Sequence, residues 1–147
     1  MDNKIKSKTR LAAIQILAQQ LVNNQDIEYI KEDFDKNYLN TNIDDSNEKI
    51  QYNVNFLSKI IDYYKTININ DVSKKINTLI NFDRKFEKWD TINQAIILIS
   101  YSEIINTKKT KMKILLNDYI EISKKFVNLK ETKLINSILD KLINEKD

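Results

Sequence analysis

Apolar residues recur at intervals of three and four along almost the whole chain, and neither glycine nor proline occurs anywhere in it. A period near 3.6 is the signature of amphipathic helices. Without glycine the tight hairpin turns that build antiparallel sheets lose their usual residue, and no sustained alternation of period two is present. The chain therefore reads as all-α, with about seven helices. At 147 residues it is long enough for one domain with a real core. Residues 1–6 are expected to form a flexible basic tail and residues 144–147 a frayed end.

The helices can be placed by their stripes. Leu11, Ile14, Leu17, Ala18 and Leu21 share a face of a first helix that ends near Asn23 and Asn24. A shorter one spans Ile27 to Leu39, with Ile30 and Phe34 inward and Asp26 as its cap. The polar run Asn40–Asn47 reads as a loop, after which Asp45 or Ser46 can cap a helix carrying Ile50, Val54, Leu57, Ile61 and Tyr64. Asn68 or Asn70 starts the next, which buries Val72, Ile76, Leu79 and Ile80. From Thr91 to Ile105, behind Asp90 as cap, the chain is apolar on nearly every side, so this helix must be central. Met112, Leu115, Tyr119, Ile122 and Phe126 line a sixth helix, and Leu134, Ile135, Ile138, Leu139 and Leu142 a seventh. Asn128 between these two is expected in the left-handed conformation, the best occupant available without glycine. Trp89 reads as a packing residue.

The same alphabet excludes much chemistry. With no cysteine and no histidine, disulfides, thiolate zinc sites and histidine-based acid–base or nucleophilic catalysis fall away. Glycine-rich phosphate cradles cannot be written either. No cofactor, no metal and no enzymatic activity are expected; the acid pairs Glu32–Asp33 and Asp44–Asp45 make only a weak metal or catalytic candidate. No signal peptide and no membrane span is visible, which implies a cytoplasmic protein.

Charge is uneven. Residues 1–10 hold four cations and one acid, residues 26–50 three cations and eight acids, and residues 108–147 ten cations and six acids. An A- and T-rich genome would account for much of the lysine. Yet Lys4, Lys6, Lys8 and Arg10 crowd the entry to the first helix, where the helix dipole disfavours each cation by roughly 0.3–1 kcal/mol. A phosphate among these cations and the free N–H groups of the first turn would reverse that penalty, so polyanion binding is the first functional expectation.

Three blocks carry a resemblance. Arg10-Leu-Ala-Ala-Ile-Gln-Ile-Leu17 has an Arg followed by Ala three on, Gln five on and Leu seven on. Asn117-Asp-Tyr-Ile-Glu-Ile-Ser-Lys-Lys-Phe126 is similar to the pattern Asn-Glu-Ala-Val-Glu-Leu-Ala-Lys-x-Phe. Leu134-Ile-Asn-Ser-Ile-Leu-Asp140 is similar to Phe-Val-Asn-Gly-Val-Leu-Asp, and Asp90–Ile104, with Ala95 and Glu103, lies between them. In this order and spacing the blocks resemble the NusB family of bacterial antitermination factors over essentially the whole chain.

The resemblance implies two small packed helical bundles and binding of boxA-type, single-stranded leader RNA together with the small-subunit ribosomal protein NusE. Through that heterodimer the protein would join the RNA polymerase antitermination complex on ribosomal RNA operons. The implied RNA-binding residues are Lys6, Lys8, Arg10, Phe126 and Lys133, phosphate clamps beside a ring for stacking; Lys4, from the same basic entry to the first helix, and Lys130 add charge to the expected RNA side. Phe126 is equally open to packing at a helix end. Asn93, Leu98 and Glu103 on the central helix are the implied NusE contacts, Glu103 being equally open to a capping or exposed role. Lys6 and Lys8 replace family arginines, Lys130 a family acid, Leu134 a family Phe and Ser137 a family Gly. Leu98 and Asn93 stand for a family Arg and acid. Two other readings are a helical interaction module or free homodimer with no RNA function, and the RNA-binding front of a ribosomal RNA methyltransferase, which the missing glycines disfavour.

Overall fold

The computed structural model describes residues 1–38, 52–80 and 84–144. These form seven α-helices: α1 (Asn3–Asn23), α2 (Ile27–Tyr38), α3 (Val54–Thr66), α4 (Ile69–Leu79), α5 (Thr91–Ile105), α6 (Met112–Ser123) and α7 (Leu129–Asn144). Short 3-10 turns at Phe86–Lys88 and Lys109–Lys111 lead into α5 and α6. Leu39, the Asn40–Asn47 stretch with Asp44, Asp45 and Ser46, Ile50 and residues 145–147 lie outside the described residues.

α5 is the spine. Every residue from Ala95 to Ile104 is buried, as a helix apolar on all sides requires. α1, α2 and α3 pack as one bundle and α4, α6 and α7 as a second, with α5 touching α1 and α3 on one side and α6 and α7 on the other. The serine hydroxyls that α5 takes into the core are satisfied within it, Ser100 Oγ donating to Ile96 O and Ser102 Oγ to Ile99 O. The face α1 buries is turned from the expected one: Ala12, Ala13, Ile14, Ile16 and Leu17 are buried, while Leu11, Ala18 and Leu21 are only half-buried.

Helix ends rest on asparagine and aspartate. Asp26 accepts from Glu28 N, Asn53 from Phe56 N and Asn68 from Asp71 N. Asp90 stands at the cap position of α5 but makes no side-chain cap bond. The expectation for Asn128 is corrected. Its side chain accepts from Glu131 N and caps the start of α7, whereas the described left-handed residue is Asn24, at φ 55°, closing α1.

α1 begins at Asn3, so the flexible tail expected at residues 1–6 is instead helical from its third residue. Asp2 caps it, accepting from Ile5 N at 2.8 Å. This corrects the dipole reading: an acid already takes a first-turn N–H group, Lys4 stands in the first turn, and Lys8 and Arg10 lie well beyond it.

Candidate nucleic-acid interface

Lys4, Lys6, Lys8 and Arg10 are two residues apart, and on a helix each step of two turns the side chain by about 200°. The four cations therefore cannot share a face. Lys4 is exposed, Lys6 and Lys8 are half-buried and Arg10 is buried.

Arg10 is held by carboxylates within the fold. Its Nε and Nη2 donate to Glu103 Oε1 and Oε2, both at 2.9 Å, and Nη1 donates to Asp118 Oδ2 at 2.7 Å. The guanidinium lies 5.4 Å from the Phe56 ring centroid and 5.7 Å from that of Tyr119. Tyr119 Oη donates to Glu103 Oε1, and Ser7 Oγ to Asp118 Oδ1 at 2.6 Å. Burial disfavours the charge on Arg10, but the hydrogen bonds and charges of its carboxylate partners outweigh it and hold the group above its ordinary value. Burial, then the Glu103 carboxylate, pushes the Tyr119 phenol well up. This node ties α1 to α5 and α6, with both carboxylates answered by donors.

The same geometry corrects two implied partner contacts. Glu103 is buried against Arg10, and Leu98 is fully buried in the core, so neither stands on the chain's surface. Asn93 is half-buried; its Nδ2 donates to Glu131 Oε2 at 3.1 Å, while its Oδ1 is buried with no hydrogen-bond partner.

α1 and α6 touch and are joined by the Ser7–Asp118 hydrogen bond. Phe126 follows α6, half-buried against the core, with its N–H bonded to Ser123 O. Lys130 and Lys133 are exposed on the first turns of α7.

An open cleft of about 430 Å³ lies between α1, α3, the α5–α6 connection and the start of α6. The Arg10–Glu103 pair forms part of its lining, with Lys6 from α1, Lys59 and Tyr63 from α3 and Lys111 from the turn before α6. Asn106 and Thr107 also line it. Lys59 Nζ is 5.9 Å from the Tyr63 ring centroid. Lys59, Tyr63 and Lys111 were not among the residues singled out in the sequence. Their signal was faint: Lys59 and Tyr63 are one helical turn apart, a cation and a ring on one face.

Fold and surface together define an all-helical, two-bundle protein with a cationic, ring-bearing cleft; among the described residues no cluster of carboxylates could hold a metal. The NusB family model matches residues 7–144, and the chain belongs to the NusB family. It is similar to transcription antitermination protein NusB of Rickettsia massiliae, 28% identical over 154 residues, covering 98% of this chain and 96% of that protein. The Rickettsia bellii counterpart is 29% identical over 148 residues, covering 98% and 94%. The fold matches a crystal structure of antitermination factors NusB and NusE in complex with dsRNA, with a TM-score of 0.73 and 14% identity over 98% of this chain and 99% of that one. No described helix is long and apolar enough to cross a membrane.

Proposed function

We propose that the protein is a non-enzymatic, cytoplasmic transcription antitermination factor that binds boxA-type leader RNA of ribosomal RNA operons together with NusE, within the RNA polymerase antitermination complex. The family match over residues 7–144 carries this reading, and the names of the Rickettsia relatives agree with it. The solved neighbour was crystallised with NusE and RNA, the two partners assigned here.

Lys4, Lys6 and Lys8 neutralise phosphates, joined by Lys130 and Lys133 at the start of α7, while Phe126 offers the exposed part of its ring to a base. Arg10 holds α1 in place beneath them. Asn93 is the one implied NusE contact that is not fully enclosed. RNA and NusE bound side by side raise each other's effective concentration, so neither contact need be tight alone.

The test is a titration of ribosomal RNA leader with the protein and NusE across a salt series. Log affinity should fall with log salt by about 0.7 for each phosphate neutralised on a single strand. The triple change Lys4→Glu, Lys6→Glu, Lys8→Glu should abolish binding and leave helicity unchanged. A flat salt response, or full affinity in the triple variant, overturns the electrostatic assignment.

A further inference from the structure

The cleft between α1, α3 and the α5–α6 connection gathers side chains far apart in sequence. Lys6, Lys59 and Lys111 converge on it from three elements. Among the described residues none of the three is in a salt bridge. Glu103 is the sole carboxylate in the lining, and its oxygens are taken by Arg10 and Tyr119. The cleft is thus cationic with its acid internally answered, and such concavities concentrate anions.

What else lines it selects among anions. Tyr63 places an aromatic ring beside Lys59, and a ring next to a cation is the unit on which unpaired bases stack while their phosphates are held. Asn106, whose Nδ2 is bonded to Ser102 O, has its Oδ1 to offer a base edge or a 2′-hydroxyl, and Thr107 its hydroxyl. An acidic peptide is a poorer fit. The lining has no strand edge to augment, and its apolar members Phe56, Ile114 and Leu115 stand among three lysines and an ion pair, a mixed surface unlike the apolar groove that takes an amphipathic helix. At about 430 Å³ the space falls low in the range of small-ligand clefts, about 300–1,000 Å³, which suits a nucleotide and not a paired duplex.

We propose that this cleft binds a single-stranded segment of RNA, with Lys6, Lys59 and Lys111 on phosphates and Tyr63 stacked on a base. It rests on the RNA-binding reading above and extends it to α3 and the α5–α6 connection. The strand crosses the N-terminal end of α1, with Lys4 and Lys8 on one flank and Lys6 in the cleft on the other.

The experiment measures binding of a labelled, single-stranded ribosomal leader RNA of about 12 nucleotides, a length within the usual site sizes, to the full chain with NusE. Lys59→Gln with Lys111→Gln should weaken binding at least tenfold and make the salt slope shallower by about 1.4, two phosphates at about 0.7 each. Tyr63→Ala should weaken it about tenfold, and Tyr63→Phe should restore it, because stacking needs the ring and not the hydroxyl. Wild-type affinity and slope in the double lysine variant, with wild-type protein binding normally, overturn the cleft and leave the antitermination reading standing. No salt-dependent binding by the wild-type protein overturns both. Displacement of the RNA from the cleft by a polyglutamate peptide at equal charge concentration, with Tyr63→Ala indifferent, assigns the cleft to acidic protein segments and overturns the RNA assignment.

Discussion

Arg10 reaches four carboxylate oxygens' worth of partner on two helices, three of them bonded, from one planar group, a reach that lysine's single ammonium cannot reproduce. Removing one member of a buried pair leaves the other charge stranded, at about 3–5 kcal/mol. Arg10→Met should therefore destabilise the fold by that amount in urea titration, and Arg10→Met with Glu103→Leu should recover only part of it, because the buried Tyr119 hydroxyl loses its acceptor and Asp118 its guanidinium. A single variant costing under about 1 kcal/mol would show the node to be dispensable. The sequence did hold the clue. Arg10 precedes Ala13, Ile14 and Leu17 by three, four and seven residues, which puts it on the buried stripe, and Glu103 sits in a helix apolar all round. Reading the four N-terminal cations as one cluster hid this, since proximity in sequence is not proximity on a helix.

At the scale of elements, asparagine takes two opposite posts in this glycine-free chain. Asn24 closes α1 with φ 55°, where a Cβ is penalised, and Asn128 opens α7 by accepting from Glu131 N. Substitution separates the two. Asn24→Gly should be neutral or stabilising in thermal melts and Asn24→Val should cost about 1–2 kcal/mol. Asn128→Ala should cost about 1 kcal/mol and Asn128→Gly only a few tenths, as for other N-caps. Equal responses at both positions would refute the distinction. Helix positions and the central place of α5 were legible because an apolar period survives any amount of lysine. The role of Asn128 was not, because an asparagine between two helices can end one or begin the next, and only the backbone decides.

Across the whole molecule, three phenols are enclosed. Tyr52, Tyr64 and Tyr119 are each held above the ordinary tyrosine range, in every case chiefly by burial, with Asp35 adding to the effect at Tyr52 and Glu103 at Tyr119. The folded state keeps these protons when the unfolded chain begins to lose them near about pH 10. Stability should be level below that point and fall above it, by about 1.4 kcal/mol per pH unit for each phenol involved. Urea midpoints that do not move between about pH 9 and 11 would contradict this enclosure. The two-bundle architecture was legible only through resemblance, since no stripe tells which helices it faces; of the cleft only Lys6 and the faint Lys59–Tyr63 spacing were legible, the rest being assembled by packing. The Arg10–Glu103 bond joins residues 93 positions apart, and this gives the fold a clock. At a synthesis rate of about 5–20 residues per second, Arg10 waits about 5–20 seconds for its carboxylate to leave the ribosome. Until then the guanidinium has no Glu103 to meet, so α1 can settle on α2 and α3 first and Arg10 closes onto α5 only afterwards.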